Sequence, residues 1–247
     1  MSRVTERIRS INKRGKKALI PYLPGGYPQE DTFWDVIKEL DDPDTGVIEI
    51  GVPFSDPVAD GPVVEAASLQ CLENGMTLAR LLEETRRHKQ NFETPLLFMG
   101  YYNSFLHYGL DHFAQDAASA GLSAAIIPDL PLEESHEARR ALNAFDLDLI
   151  PLVGLNTPKE RLKKYAEVEQ GFLYFVSVLG TTGVRETFPP ELQDALMRVR
   201  EYFSIPVALG FGITTRTQVE EFGDLIDAGV IGSALIRNIA EGRGARL

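Results

Sequence analysis

The stretch "VIEIGVPFSDPVADGP", residues 47–62, begins as an apolar strand and ends as a loop rich in glycine, proline and aspartate. Its unusual feature is Glu49, because a carboxyl group among apolar neighbours costs several kcal/mol unless it is neutralised or partnered. Alternation along the strand places Glu49 on the same face as Val47 and Gly51. If that face points into the core, burial raises the pKa of Glu49 toward neutrality, where the group can give and take a proton. A buried glutamate paired with an arginine or a backbone donor is the alternative.

Apolar, β-rich runs alternate with helical patterns along the rest of the chain. Near-continuous apolar runs suit parallel strands that are buried on both faces. Eight such βα units predict a single (β/α)8 TIM barrel over residues 1–247. An open doubly wound sheet is the alternative, but "LPGGYPQED" after the first strand is not the G-x-G-x-x-G of that fold. The predicted strands are residues 18–23, 47–52, 95–102, 124–130, 148–154, 171–178, 206–212 and 225–232.

Composition limits the classes of partner and of site. The net charge of −11 argues against nucleic acid or an anionic membrane surface as a partner. No apolar run reaches the roughly 18–20 residues of a membrane span, and no secretory signal is evident, so we expect a cytoplasmic protein. The single cysteine permits no disulfide framework, and the four histidines show no metal-ligand spacing. An anionic ligand would therefore need local donors.

In a barrel, chemistry takes place where the strands end. The loop after the second predicted strand carries Asp56 and Asp60, for which turn formation and helix capping are the alternative roles. Tyr174 lies near the middle of the sixth predicted strand, where a core tyrosine is the alternative. No lysine lies in or just after a predicted strand, which argues against a Schiff-base aldolase and a pyridoxal-phosphate enzyme.

The last two predicted strands end in glycines, at Gly210, Gly212 and Gly232. Glycine lets backbone N–H groups approach a ligand closely, and Ser233 then opens a short helix whose N-terminus favours an anion. Barrels often bind phosphate with the loops that follow strands seven and eight. The pattern indicates an enzyme for a phosphorylated substrate that uses carboxyl groups.

The segment "IEIGVPFSDPVADGP" closely resembles the signature of the tryptophan synthase alpha subunit family. Further matches cover nearly the whole chain: "LIPYLPGGYP", "MGYYN", "IIPDLP", "YFVSVLGTTGVRE", "GFGI" and "GSAL". The resemblance implies a (β/α)8 barrel that cleaves indole-3-glycerol phosphate to indole and glyceraldehyde 3-phosphate, a retro-aldol step in L-tryptophan biosynthesis. It also implies a β subunit partner in an α2β2 heterotetramer, with no cofactor in this chain and pyridoxal phosphate only in the partner. The last residues, "IRNIAEGRGARL", supply about two turns of a closing helix that is normally longer in the family.

The resemblance also assigns roles to residues. Glu49 would deliver a proton to indole C3, Asp60 would hold the indole N–H, and Tyr174 would lie beside Glu49. Thr182 would close over Asp60. The remaining residues form three groups: a phosphate site of Gly183, Gly212, Gly232 and Ser233; an indole pocket of Tyr22, Met99, Ile126, Leu152 and Phe211; and a partner contact of Asp56 and Pro57.

Two other functions remain possible at this point. One is an isomerase on a related phosphate-binding barrel, although such isomerases lack the "PFSDPVADGP" loop. The other is a barrel without catalysis that only activates a β subunit, against which the joint presence of Glu49, Asp60 and Tyr174 counts. Formation of indole from indole-3-glycerol phosphate would distinguish the lyase from both.

Overall fold

Parallel strands form the centre of the fold. The computed structural model describes residues 2–177, 191–210 and 212–245, and the strands within them are numbered β1 to β9 in chain order. Their bounds are Ala18–Pro24, Ile48–Gly51, Leu96–Met99, Leu122–Ile126, Asp148–Leu149, Leu152–Gly154, Leu173–Val176, Val207–Gly210 and Ala228–Ile231. All nine belong to one sheet in the order β5-β4-β3-β2-β1-β9-β8-β7-β6.

The two ends of this order are joined through the chain itself. β5 and β6 are separated only by Ile150 and Pro151, so the sheet closes on itself. The register confirms the barrel. When register partners are followed from Tyr22 on β1 across β2, β3 and β4, they end at Asp148 on β5. When they are followed the other way from Ala18, four residues before Tyr22, across β9, β8 and β7, they end at Leu152 on β6, four residues after Asp148. One circuit therefore advances the register by eight residues, which is the shear of a TIM barrel.

The eight predicted strands are all present, but the fifth is divided and most predicted bounds extend too far. The predicted strand 148–154 is wrong as one element, because its pairing with β4 ends at Leu149 and its pairing with β7 starts only at Leu152. The chain changes neighbour here: the Ile150 N–H donates to the Ala125 carbonyl at 3.0 Å, and the Pro151 carbonyl accepts from the Tyr174 N–H at 2.9 Å. The predicted strand 95–102 shortens to β3, because the chain turns into a helix after it.

Helices surround the barrel and are numbered α1 to α11 in chain order within the described residues. Their bounds are Arg3–Asn12, Glu30–Leu40, Pro62–Glu73, Leu78–His88, Tyr102–Tyr108, Leu110–Ser119, His136–Asn143, Lys159–Ala166, Glu191–Tyr202, Arg216–Glu221 and Ser233–Ala240. α11 has eight residues, about two turns, but it begins at Ser233, so residues 236–240 of the predicted closing stretch lie in it and residues 241–245 do not. None of the described helices is long and apolar enough to cross a membrane.

α1 covers the amino end of the barrel. Its buried face includes Val4, Ile8 and Ile11, which are 0% exposed. The Thr5 hydroxyl donates to the carbonyl of Gly171, just before β7, at 2.6 Å. Because this helix occupies the amino end, a ligand site is left to the loops at the carboxyl end.

Candidate active site

Glu49 occupies the second position of β2 and is 0% exposed. It lies in register between Tyr22 on β1 and Leu97 on β3. Both carboxyl oxygens are enclosed, and neither accepts a hydrogen bond from a described residue. Burial, with a smaller contribution from the charge of Asp60, raises the pKa of Glu49 to about 8. The group therefore holds its proton at neutral pH, and the alternative of an ion-paired glutamate finds no partner among the described residues.

Asp60 lies at the end of the segment that follows β2, just before α3. It does not cap that helix, because the N-cap residue is Gly61 and no side chain bonds there. Its Oδ2 atom instead accepts a hydrogen bond from the Tyr101 hydroxyl at 3.2 Å. Burial raises the pKa of Asp60 to about 6, the Tyr101 hydrogen bond opposes this rise, and the charge of Glu65 adds to it. Asp60 is therefore mostly ionised at the pH where Glu49 is mostly protonated.

One cavity at the carboxyl end brings the predicted catalytic residues together with two of the other predicted groups. Glu49, Asp60 and Tyr174 line it, as do Tyr22 and Met99 of the predicted indole pocket. Three residues of the predicted phosphate site also line it: Gly212, Gly232 and Ser233. Acid groups and candidate phosphate donors therefore share one space.

Tyr22 and Tyr174 each lie over a glycine of a neighbouring strand. A Cβ at Gly51 would come within 2.3 Å of the Tyr22 hydroxyl, and a Cβ at Gly210 within 2.2 Å of the Tyr174 ring. Only glycine at these inward positions leaves room for the two rings. Burial, followed by the charges of Asp60 and Glu49, raises the pKa of both hydroxyls well above 10, so both are neutral donors.

The phosphate end is built from backbone N–H groups. The first hydrogen bond within α11 runs from the Ile236 N–H to the Gly232 carbonyl at 3.0 Å. The N–H groups of Ser233 and Ala234, which precede it, have no partner within the helix, and both residues line the cavity. No acidic residue occupies the first turn of α11. Gly212, with a φ of +93°, adopts a left-handed conformation that favours glycine.

Some predicted site residues do not meet in this cavity. Ile126 is 0% exposed on β4, and Leu152 lines a separate cavity with Ile127 and Tyr165; neither lines the cavity of Glu49. Their role at indole stays a prediction. The predictions for Thr182, Gly183 and Phe211 fall outside the described residues.

The predicted partner contact lies on the rim. Asp56 is exposed and Pro57 is half-buried in the segment between β2 and α3. The next residue, Val58, is 79% exposed, which is unusual for an apolar side chain. Among the described residues, no group of three or more His, Cys, Asp or Glu side chains could hold a metal ion.

The sequence analysis missed several residues of the site. Tyr101, inside the quoted "MGYYN", bonds to Asp60, and its position two residues after Met99 was the available signal. Tyr101 itself does not line the cavity. The lining residues that the analysis missed had no chemical signal, since all but one are apolar: Val64, Ile213, Thr214, Val230 and Ala234.

Comparison with known proteins gives a consistent result. A family model described as "Tryptophan synthase alpha chain" matches residues 8–246. The tryptophan synthase alpha chain of Solidesulfovibrio magneticus is 56% identical over 97% of this chain and 93% of that protein. The tryptophan synthase alpha chain of Maridesulfovibrio salexigens is 51% identical over 98% of this chain and 95% of that protein. Among solved structures, Mycobacterium tuberculosis tryptophan synthase is similar at 33% identity and a TM-score of 0.90, over 97% of this chain and 92% of that one. A Legionella pneumophila tryptophan synthase alpha chain is similar at 31% identity and a TM-score of 0.87, over 98% and 89%.

Proposed function

The chain belongs to the tryptophan synthase alpha chain family, and on that basis we propose that it cleaves indole-3-glycerol phosphate to indole and glyceraldehyde 3-phosphate. The observation that carries the proposal is a pair of carboxyl groups in one cavity, one fully buried without a described hydrogen-bond partner and the other bonded to Tyr101. Glu49, with a pKa of about 8, is the acid, and Asp60, with a pKa of about 6, is the anion. Groups whose environments separate their pKa values in this way can divide acid and charge-stabilising roles.

Glu49 starts the reaction by giving its proton to indole C3. Protonation at C3 places a positive charge on the indole nitrogen, so that the ring can accept the electron pair of the bond that breaks. Glu49 suits this step because its acid form is stable in an apolar site yet can lose a proton near neutral pH. Nearby, Tyr174 is neutral and cannot supply the base.

Asp60 stabilises the charge that Glu49 creates. Its carboxylate would accept a hydrogen bond from the indole N–H, and this bond strengthens as the nitrogen becomes positive. An ionised group is needed for this task, and Asp60 is ionised above about pH 6.

The carbon–carbon bond then breaks. The hydroxyl on the carbon attached to C3 loses its proton to the Glu49 carboxylate, its oxygen forms the aldehyde, and the electron pair of the broken bond returns to the indole ring. Glu49 recovers the proton that it gave, so the cycle leaves no net change on the protein. In this mechanism the groups of this chain that take part in the chemistry are carboxyl groups. Pyridoxal phosphate would be bound by the proposed β subunit partner.

The phosphate of the substrate would lie against the N-terminus of α11. The N–H groups of Ser233 and Ala234, which have no partner within α11, supply local donors, which an anion requires in a chain of net charge −11. Gly212 faces the same space without a side chain. The substrate would thus span the cavity, with its phosphate at α11 and its indole toward Asp60.

A β subunit partner, in an α2β2 complex, would dock at the same end of the barrel. Two apolar side chains stand exposed on segments that follow neighbouring strands: Val58, at 79%, after β2, and Leu106, at 53%, after β3. Single exposed apolar side chains are common on protein surfaces, so the docking proposal rests on the family resemblance, and these two positions only suggest where on this face to test it. Docking on Asp56 and Pro57 would restrict the segment that carries Asp60.

The test is an indole-release assay with the purified chain, indole-3-glycerol phosphate, and a relative's β subunit present or absent. We expect slow cleavage alone and a rise in kcat of about 10- to 100-fold on docking, which a population shift of a few kcal/mol supplies. The rate should follow a bell-shaped pH profile with limbs near 6 and 8. Asp56→Ala and Pro57→Ala should reduce the activation more than the basal rate, whereas Glu137→Ala, an exposed change on α7, should affect neither. Absence of indole under every condition would refute the activity.

A further inference from the structure

Tyr101 holds both ends of the segment that connects β2 to α3. Its ring stacks on Phe54, near the start of that segment, with ring centroids 5.0 Å apart. Its hydroxyl meets the other end, where it accepts the Ala59 N–H at 2.9 Å and contacts Asp60 Oδ2 at 3.2 Å. Tyr101 is itself only 5% exposed, and it precedes α5 at the carboxyl end of β3.

The direction of these hydrogen bonds follows from the chemistry of the phenol. A tyrosine hydroxyl has one proton to donate and lone pairs to accept with. Because the Ala59 N–H can only donate, the hydroxyl accepts there and its own proton points to the Asp60 carboxylate. Such a bond favours the charged form of Asp60. The distance of 3.2 Å is long for this kind of bond. Hydrogen bonds in active sites are often long before substrate binds.

On this geometry, and resting on the function proposed above, we propose that Tyr101 is a positioning residue that keeps Asp60 ionised and in place for the indole nitrogen. It does so by a hydrogen bond to the carboxylate and by contacts with Phe54 and Ala59 in the segment that precedes it. Tyr101 itself needs no contact with the reacting atoms.

Other groups around Asp60 act against its ionisation, and this makes the Tyr101 bond important. Burial raises the pKa of Asp60, and the charge of Glu65 on α3 raises it further. Asp60 also interacts electrostatically with titratable groups on β1, β2 and β7, while Asp129, after β4, faces Tyr101. Those groups on the three strands are Tyr22, Glu49 and Tyr174. Of all these neighbours, only Tyr101 donates a hydrogen bond to Asp60 among the described residues.

Tyr101→Phe removes the hydroxyl and keeps the ring on Phe54. We expect the midpoint of Asp60 ionisation to rise by about one pH unit, the typical effect of losing one hydrogen bond to a charged group. Because the wild-type midpoint is about 6, kcat/KM should fall roughly fivefold at pH 6 and by less than about twofold at pH 7.5. A role in packing alone would lower the rate equally at both pH values.

Tyr108→Phe is the matched control. Tyr108 donates to Asp116 at 2.6 Å on the outside of the barrel, so the change removes the same kind of bond away from the site. It should leave the pH profile unchanged. Phe54→Leu removes the stacked ring but keeps the hydroxyl bond, and it should leave the acidic limb of the profile in place.

The Asp60 midpoint should also be measured without turnover, by 13C NMR titration of aspartate carboxyls, with the signal identified through Asp60→Asn. If the wild-type protein releases no indole, the proposed function fails while this titration still tests Tyr101. The Tyr101 proposal is overturned if Tyr101→Phe leaves the Asp60 midpoint unchanged, if the rate loss is the same at pH 6 and 7.5, or if Phe54→Leu shifts the midpoint equally. Circular dichroism confirms that each variant is folded.

Discussion

Replacing Glu49 with glutamine should abolish catalysis and stabilise the fold in a pH-dependent way. Glu49 is 0% exposed, and its oxygens accept no hydrogen bond from a described residue. Burial and the charge of Asp60 raise its pKa from 4.5 to about 8. The folded protein therefore keeps this proton up to about pH 8, whereas the unfolded chain releases it near pH 4.5.

The size of the effect follows from this difference. Below pH 4.5 both states hold the proton; as pH rises toward 8, unfolding releases it and the wild-type protein loses stability. At about 1.4 kcal/mol per pKa unit, the loss reaches about 3 kcal/mol at pH 7 and about 4 kcal/mol at pH 8, where the folded group is half ionised. Glutamine has no proton to release. Its buried amide carries a cost of about 1–3 kcal/mol, but this cost does not change with pH.

Urea unfolding of both proteins between pH 5 and 8 measures the effect. The free energy of unfolding of Glu49→Gln, minus that of the wild type, should rise by about 1.4 kcal/mol per pH unit. Glu137→Gln, an exposed change on α7, should show no such slope. The kcat of Glu49→Gln should fall by roughly 10²-fold or more, because an amide cannot protonate carbon. A flat difference across pH, or more than about a tenth of the wild-type kcat, would refute Glu49 as the acid.

Four other substitutions test other parts of the molecule. Gly212→Asp should raise KM severely, because it places a carboxylate at the phosphate end on a backbone with φ of +93°. Ser233→Ala should raise KM only about two- to tenfold. Unchanged KM in both variants would show that phosphate binds elsewhere. Gly51→Ala should lower kcat and cost about 1–3 kcal/mol in urea unfolding, because its Cβ would lie 2.3 Å from the Tyr22 hydroxyl; full activity would show that this tyrosine moves freely. Asp148→Asn should raise the free energy of unfolding more at about pH 7 than at about pH 3.5, because burial, opposed by a hydrogen bond from Ser2, raises the pKa of Asp148 above 3.8, and its Oδ2 accepts no described hydrogen bond; equal changes would contradict that.

The sequence predicts the inward face of β2 well because strand alternation is a strong geometric rule. Glu49 and Gly51 share a face two residues apart, and the structure confirms that this face points inward. The burial of Glu49 and the direction of its pKa follow from that face alone. The glycines at the ends of β8 and β9 were found for a similar reason, since barrels bind ligands where strands end.

Tyr101 shows what this reasoning cannot reach. Its place after Met99 allows an inward side chain, and the predicted strand 95–102 includes it. Its bonds to Ala59 and Asp60, however, depend on the course of the segment after β2, which packing against a different part of the chain decides. Local pattern identifies a face of a strand, but it does not identify which loop folds over that face.

Two similar pentapeptides make the same limit visible within the barrel. "LIPYL", residues 19–23, and "LIPLV", residues 149–153, share their first three letters, and in both the strand changes its hydrogen-bonded neighbour at the proline. In β1 the two pairings meet without a gap, because Pro21 is in register with β9 and Tyr22 with β2. In the predicted strand 148–154 two residues separate the pairing with β4 from the pairing with β7, so β5 and β6 are distinct strands. The residue after each proline was predicted at the indole, yet Tyr22 lines the cavity of Glu49 and Leu152 lines another. What places these side chains is the strand beside each of them, and that strand is distant in sequence.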